Sequence, residues 1–454
     1  MKSSLAKTIL KILISLIVPV AIVLWRPLGF SLNQSIVFGA LILVIIWWTT
    51  GITNKTIASI VLLAVFIAFG QTPLERIFSF ALSEAFIVII LSFLFSQGII
   101  NSKLAEKLLQ PLFVKYATSA LKLMAFILVI QLALIIVIPQ SFSRIILIAL
   151  ILIGFFDRIE LDQKAKGALM FWLYASTVII NMSMLRGDLI LNPALIVLSE
   201  YDVSESTWIA YMMLPTVVFY IVAAAGFLLV FRKELATYSI GEVAEAESNK
   251  TLGRKEVGQL TVVLVTVVVW ATESFHGISG TIFLAIGTVA MVPIGLLKLK
   301  DLKSINLHLL CFLTAALAIG PVLRASGVSD IIFSELTAFF PTEFSLYYVV
   351  LVFAVSVLMH MLLGSNVTTM SVVIPSLLMV SIAGVRTEVI IFIIYFSICA
   401  HFVLPFHHAV LMIGNGYKHY DVKTMVKFAP VLTVIVAICL FALYYSWWFI
   451  AGLL

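Results

Sequence analysis

Gly364-Ser365-Asn366-Val367-Thr368-Thr369 stands between two apolar runs, residues 347–363 and 370–383. Each run matches one bilayer crossing or falls slightly short of it, since about 20 apolar residues span the hydrocarbon core. Small and polar residues set in such a context are costly unless something solvates them. Lipid cannot do so, but a cavity within the protein can. The reading is a helical hairpin over 344–383 that enters the membrane and turns back. Ser365, Asn366 and Thr368 are at its tip, where hydroxyls, an amide and helix N–H groups meet an ion or small anion. The plainer alternative is a polar contact between helices, which Ser, Thr and Asn often supply in membrane bundles.

Composition places the hairpin in a membrane protein. The 454 residues are 63% hydrophobic and 11% charged, against roughly 25% charged in soluble domains. The short alternating segments of a β-barrel are absent. The fold class expected is an all-α polytopic membrane protein of about eleven spans plus two re-entrant hairpins. Cys311, Cys399 and Cys439 lie in apolar runs at unrelated spacings, which suggests neither disulfides nor a metal centre. Lys2, Lys7 and Lys11 precede or enter the first apolar run, and no small-residue cleavage site precedes Arg26-Pro27. The run therefore reads as a retained first span.

The net charge of +6 follows from topology and does not point to nucleic acid. With the N-terminus inside, the inner face receives the N-terminus, Lys55 and segments 103–122, 158–166, 232–258, 298–303 and 418–427. These hold 22 of the 28 Lys and Arg. Arg26, Arg76, Arg324 and Arg386 fall outside, and Arg144 and Arg186 at membrane depth. Lysine and arginine favour the cytoplasmic side, so the expectation is a cytoplasmic-membrane protein with its N-terminus in and its C-terminus out.

The chain also repeats. A first span (1–34) is followed by a first unit (35–231), a charged linker (232–258) and a second unit (259–454). The first unit contains an interrupted apolar pair at 117–156, broken at Pro139-Gln140-Ser141-Phe142-Ser143-Arg144, and a span at 167–198, broken at Leu185-Arg186-Gly187-Asp188. The second contains the 344–383 hairpin and a span at 387–415, broken at Leu404-Pro405-Phe406-His407-His408. Trp48 and Trp270, and Gly98 and Gly320, stand 222 residues apart; Ser141 and Ser365 stand 224 apart, Gly187 and His407 220. Each unit has five spans, an odd number, so the second copy is inserted upside down. Inverted repeats with matching broken helices point to a transporter site near the midplane.

At these residues the chain resembles the divalent anion/sodium symporter family. Residues 365–375 are similar to its second Ser-Asn-Thr hairpin signature and the following Ile-Pro. Residues 270–277 resemble its Trp-x-Thr-Glu-x-x-x-Gly element, 317–328 its Gly-x-x-Leu-x-x-Ser-Gly-Val element, and 400–428 its last broken helix and basic loop. The resemblance implies a homodimeric elevator-type carrier of sulfate, succinate-like dicarboxylates or citrate, usually with sodium. Several positions depart from the pattern. The first Ser-Asn-Thr appears as Ser141-Phe142-Ser143, losing the amide and gaining Arg144. Gly-Thr-Pro-Pro appears as Gly187-Asp188-Leu189-Ile190, and the second Thr-Pro-Pro as His408-Ala409-Val410. Val367 stands where Thr is usual, with Thr368 next to it.

The site expected has Ser141, Ser143, Arg144, Arg186, Ser365, Asn366, Thr368 and His408 toward the substrate. Gly187, Asp188, Gly364, Asn366 and the His407 carbonyl are the candidates to hold a sodium ion where one binds, with sodium coupling reduced or absent at the first site; no cofactor is otherwise expected. Gly187 either lets carbonyls approach a ligand or relieves a kink. Asp188 either pairs with Arg186 or serves as a cation or proton ligand. Arg144 is expected to replace the first sodium ion and grip a dianion with its guanidinium fork; the alternative is a snorkelling charge. His407 and His408, about 100° apart on a helix with no third ligand type nearby, do not make a zinc site. His360 and His401 read as hydrogen-bonded core residues. Metalloprotease, serine-hydrolase and aspartyl-protease motifs are missing, so no enzyme is expected. The rival function is a cation/proton antiporter using Asp188 and His408.

Overall fold

The computed structural model describes residues 10–138, 140–240, 253–272, 277–336, 339–363, 365–379, 382, 385–404 and 407–454. Gly364, Pro139, Pro405, Phe406, residues 241–252 of the linker and 273–276 after Trp270 lie outside them. No strand occurs among the described residues.

The first half runs α1 (Ile17–Trp25), α2 (Leu32–Thr50), α3 (Lys55–Phe69), α4 (Glu84–Ser102), α5 (Leu104–Tyr116), α6 (Ala120–Val137), α7 (Ser141–Arg158), α8 (Gln163–Asn181), α9 (Leu191–Ser199) and α10 (Glu205–Val230). The second runs α11 (Arg254–Ala271), α12 (Gly280–Ala290), α13 (Leu307–Ala325), α14 (Val328–Leu336), α15 (Leu346–Leu363), α16 (Asn366–Met379), α17 (Thr387–Cys399), α18 (Ala409–Gly416) and α19 (Val422–Ile450). Local chemistry sets the starts. Ser31 and Gln34 form a capping box at α2, and Ser83 and Ser119 accept from the first turns of α4 and α6. Such caps satisfy N–H groups that have no intrahelical acceptor.

Among the described residues, four helices are long and apolar enough to cross a bilayer: α6, α10, α13 and α19. The other apolar helices are shorter, including the arms α15 and α16 and the half-helix α17, so length alone does not reproduce eleven crossings. The amphipathic stretch at 102–115 is α5, turned away from α4 at Lys103 (φ 56°) and tied to the start of α11 by Lys107 Nζ–Glu256 Oε2 at 2.7 Å.

From α2 onward the element order recurs, α2–α10 matching α11–α19, and the packing is reciprocal. α3 packs on α13 and α4 on α12; α9 packs on α16 and α18 on α7. When each half offers the other the same pair of surfaces, the relation is two-fold. The counterparts α10 and α19 lie antiparallel. Trp447 and Trp448 donate to the Ala210 and Tyr211 carbonyls at 2.9 and 3.0 Å, while Gly226 faces Ile435 and Val431. Ala210 and Tyr211 belong to a π-helical turn, Ile209–Met213. A wide turn displaces carbonyls from the regular ladder, and the two indoles supply the missing donors.

At the centre stand α8 and α17, counterparts in the repeat. Every residue of Ala168–Asn181 and Val389–Cys399 is buried. Around them, α1, α3, α11 and α12 expose Leu24, Ile60, Val268, Ile286 and Val289, the composition of a lipid-facing surface. The α11–α12 crossing depends on Gly287, where an added Cβ would lie 2.2 Å from Thr266 Oγ1. Gly287→Ala should therefore lower the melting temperature of the detergent-solubilised protein, an overpacking cost of about 1–3 kcal/mol. Thr266→Ala added to it should recover part of the loss; an unchanged melting temperature in Gly287→Ala would contradict this packing.

Candidate ion and substrate site

The first broken helix is held open by its own side chains. α8 stops at Asn181, a short turn occupies Leu185–Gly187, and α9 begins at Leu191. One amide, Asn192 Nδ2, donates to the carbonyls of Asn181, Met184 and Leu185 at 3.0, 2.8 and 3.1 Å. Asp188 Oδ1 accepts from the Ile190 and Leu191 N–H groups at 2.9 and 3.0 Å. Gly187 is required here because a Cβ would sit 2.2 Å from the Asn181 carbonyl oxygen. Unwound backbone in an apolar bundle persists only when its polar groups are met this way.

The connection between α6 and α7 meets this break. Gln140 Oε1 accepts from the Phe142 and Ser143 N–H groups at 2.5 and 3.2 Å, closing the start of α7. Arg144, one turn on, has 0% of its surface exposed. Its Nη1 donates to the Ile138 carbonyl at 2.7 Å; its Nη2 donates to Asn181 Oδ1 and the Gly187 carbonyl, both at 2.6 Å. Asn181 Nδ2 and Ser141 Oγ donate to Asp188 Oδ2 at 3.3 and 3.1 Å. Among the described residues no carboxylate lies within ion-pair distance of Arg144, so the Asn181 amide connects guanidinium to carboxylate.

Two expectations change. Both terminal nitrogens of the Arg144 fork are engaged by protein oxygens, while its Nε has no partner among the described residues, so the buried side chain does not snorkel. Arg186 leaves Asp188 alone: its Nε stands 3.4 Å from Glu205 Oε2, its backbone N–H donates to the same oxygen at 3.2 Å, and its guanidinium carbon lies 5.4 Å from the Trp270 ring centre.

The second break follows the same plan with different residues. His408 Nδ1 accepts from Val410 N–H at 3.2 Å, the counterpart of Asp188 accepting from Ile190. The His407 carbonyl, counterpart of the Gly187 carbonyl, accepts from His360 Nε2 at 3.0 Å. His407 Nδ1 accepts from the Val403 and Leu404 N–H groups at 3.1 and 3.4 Å. Asn366 Nδ2 donates to the Ile398 carbonyl at 3.2 Å, with Cys399 beside it. Ser365 is half-buried, and its carbonyl accepts from Thr369 N and Oγ1, both at 2.8 Å. Thr368 Oγ1 is buried with no partner among the described residues. Gly364 lies outside the described residues.

The two breaks are joined through Tyr395 on α17, whose hydroxyl donates to Asn192 Oδ1. Asp188 acts electrostatically on both Tyr395 and Cys399. Thus Ser141, Arg144, Gly187 and Asp188 form one network, Asn366, Thr368, His407 and His408 belong to the other break, and Asn192–Tyr395 bridges them. Ser143 is half-buried at the start of α7. Asn181, Asn192, Gln140 and Tyr395 were not anticipated. The two asparagines interrupt apolar sequence and were findable as intramembrane amides, whereas Tyr395 gives no signal in an aromatic-rich helix. A separate cavity of about 960 Å³ lies at the start of α8, lined by Lys164, Lys166, Lys418, Lys423, Lys427 and His419. It is roughly 20 Å from Asn181 along the helix at ~1.5 Å per residue.

The oxygens present do not suit a sodium ion at the first break. Ile138 O, Gly187 O and Asn181 Oδ1 already receive a full positive charge at hydrogen-bond range. A second unit charge about 4 Å from the guanidinium would be repelled by about 4 kcal/mol at an effective dielectric of ~20, before the opposing attraction of Asp188 is counted.

Asn181→Leu should be strongly destabilising, because Arg144 loses an acceptor and Asp188 a donor. Each buried group left unmet costs about 1–3 kcal/mol. A drop in melting temperature well beyond that of Ser143→Ala, measured side by side, is the expected result.

Comparison with known proteins places the molecule. No individual curated protein matches the chain. A family model described as the sodium:sulfate symporter transmembrane region matches residues 6–454, nearly the whole length. The chain therefore belongs to the sodium:sulfate symporter family, the divalent anion/sodium symporters, and is a multi-pass membrane transporter.

Proposed function

We propose that the protein is a secondary carrier of a small divalent anion (sulfate, a dicarboxylate or citrate), with Arg144 in the place of the first coupling cation. The observation that carries this reading is the three-oxygen seat of the Arg144 guanidinium on the hairpin tip and the broken helix. A bound cation in that position would tie the tip to the break, and the guanidinium makes that tie covalently resident. Asp188, linked through Asn181, balances the charge, so the first break closes at zero net charge without a mobile ion.

The anion is assigned to the start of α16. The first hairpin helix is closed by Gln140, whereas α16 begins beside the Thr368 hydroxyl, which has no partner among the described residues. The opening N–H groups of a helix have no intrahelical acceptor and favour an anion. Ser365, Asn366, Thr368 and His408 are its expected contacts.

Reciprocal packing and antiparallel counterparts support an inverted repeat, whose two-fold axis lies in the bilayer plane if α10 and α19 span it. Elevator movement and a homodimer are the family's mode, and we extend both to this chain as proposals, with the N-terminus cytoplasmic. The antiporter reading is the weaker one: both Asp188 oxygens are committed to donors and His408 caps α18.

Electrogenic or counterflow uptake into liposomes in sodium-free buffer tests the proposal. Sulfate, succinate or citrate should be carried, and pH-driven sodium flux without any organic or sulfate anion would overturn it. Thr368→Val preserves shape and removes one hydroxyl. It should weaken anion affinity about 10- to 100-fold, since a hydrogen bond to a charged group contributes ~1.5–3 kcal/mol. Affinity equal to the native protein's would remove Thr368 from the site. Arg144→Ala should cut sodium-free uptake at least about tenfold, with sodium restoring part of it; uptake unchanged in Arg144→Ala would refute the resident-cation role.

A further inference from the structure

The Gly187 and His407 carbonyls are counterparts, 220 residues apart in a chain whose halves pack reciprocally. Each lies in the unwound stretch of its broken helix. Each accepts a hydrogen bond from the hairpin of its own repeat, Gly187 from Arg144 on α7 and His407 from His360 on α15. We propose that His360 fills the second cation seat as Arg144 fills the first, so that neither repeat takes up a sodium ion and the carrier moves its anion independently of sodium. This rests on the transport reading above and extends it to the coupling ion.

His360 is fully buried, and its Nδ1 has no partner among the described residues. Among the described residues the ring therefore meets protein polar groups through Nε2–H, and that group is aimed at the carbonyl a second ion would need. The His360 and His407 ring centres are 5.3 Å apart, which leaves the His360 imidazole in the volume beside the unwound carbonyl. His407 Nδ1 is itself turned to the Val403 and Leu404 N–H groups, and His408 Nδ1 to Val410. The nitrogen lone pairs facing the break are thus committed to backbone donors. A histidine that bonds a core carbonyl is common in bundles. What distinguishes this one is the carbonyl's equivalence to Gly187 O and the donor's origin on the matching hairpin.

The two substitutes differ in kind. Arg144 carries a charge and is balanced by Asp188. His360 supplies a ring N–H, and the Asp188 counterpart is His408 rather than a carboxylate. The repeat thus pairs cation with anion in one half and imidazole with imidazole in the other, so each break is matched in charge without an added ion. As a positioning residue His360 acts on the substrate through the break it fastens.

The test is sodium binding to the purified protein, read as melting temperature in sodium chloride against choline chloride at equal ionic strength, with no substrate present. The native protein should show no difference. His360→Ala uncovers the carbonyl and should gain a sodium-specific rise of about 1–2 °C near tenfold saturation. His360→Gln returns an N–H donor to a similar position and should again show none, a rescue that a packing role would not produce. A sodium response in the native protein, or the same absence of response in His360→Ala as in His360→Gln, overturns the proposal. If His360→Ala cannot be purified, sodium dependence of native uptake decides alone: a requirement for sodium refutes the inference. Anion binding is measured on the same native sample in choline. Its absence would refute the proposed function while leaving the sodium result standing.

Discussion

An unwound backbone inside an apolar bundle has nowhere to send its polar groups except to other parts of the same chain. That requirement organises the centre of this molecule. Both broken helices sit among deeply buried residues, and among the described residues several of their carbonyls and N–H groups are met by named side chains: Asn192 for three carbonyls, Asp188 and His408 for helix starts, Asn366 for the end of α17. The reciprocal packing of the two halves brings these solutions together. Without it, the breaks would lie in separate parts of the bundle and could not share a ligand.

Sequence showed where the backbone fails to be regular, because interruption of an apolar run is a local property. The interruptions of the apolar runs and the interval between their copies could be read from residues such as Ser365, Gly187 and His407. Partner choice is not local. Arg186 and Asp188 are two residues apart and of opposite charge, yet Arg186 turns to Glu205 and Trp270 while Asp188 turns to Ser141 and Asn181. Arg186 lies in the 3-10 turn Leu185–Gly187, where three residues per turn set side chains two positions apart about 120° from each other, so proximity along the chain misled. Arg144 was recognisable as an intramembrane charge, but its acceptors are two carbonyls and an amide up to 43 residues away, and carbonyls carry no sequence signal. The count of crossings was also beyond reach of pattern alone, since half-helices and full spans have the same composition.

The two halves share element order and packing but carry different residues at their breaks. Gly187-Asp188 and His407-His408 differ in size, charge and flexibility, yet the second residue of each pair accepts from the N–H two positions on, and the first offers its carbonyl to a hairpin donor. The geometry of the break is thus a property of the fold, while the chemistry at the break is open to substitution. Helix order and packing therefore do not by themselves fix which side chains stand at a break.

The indoles at the end of α19 have a mechanical meaning. Trp447 and Trp448 hold successive carbonyls of the α10 π-turn, and Thr216 and Tyr444 are hydrogen-bonded to each other at 2.7 Å one turn further along. Sliding one helix past the other by a turn, about 5.4 Å, would break all three bonds at once and leave two displaced carbonyls in hydrocarbon. The pair behaves as a splined joint, fixed in register along its axis. Whatever displacement carries cargo across the bilayer must then move α10 and α19 as a single rigid rod and find its compliance elsewhere in the chain.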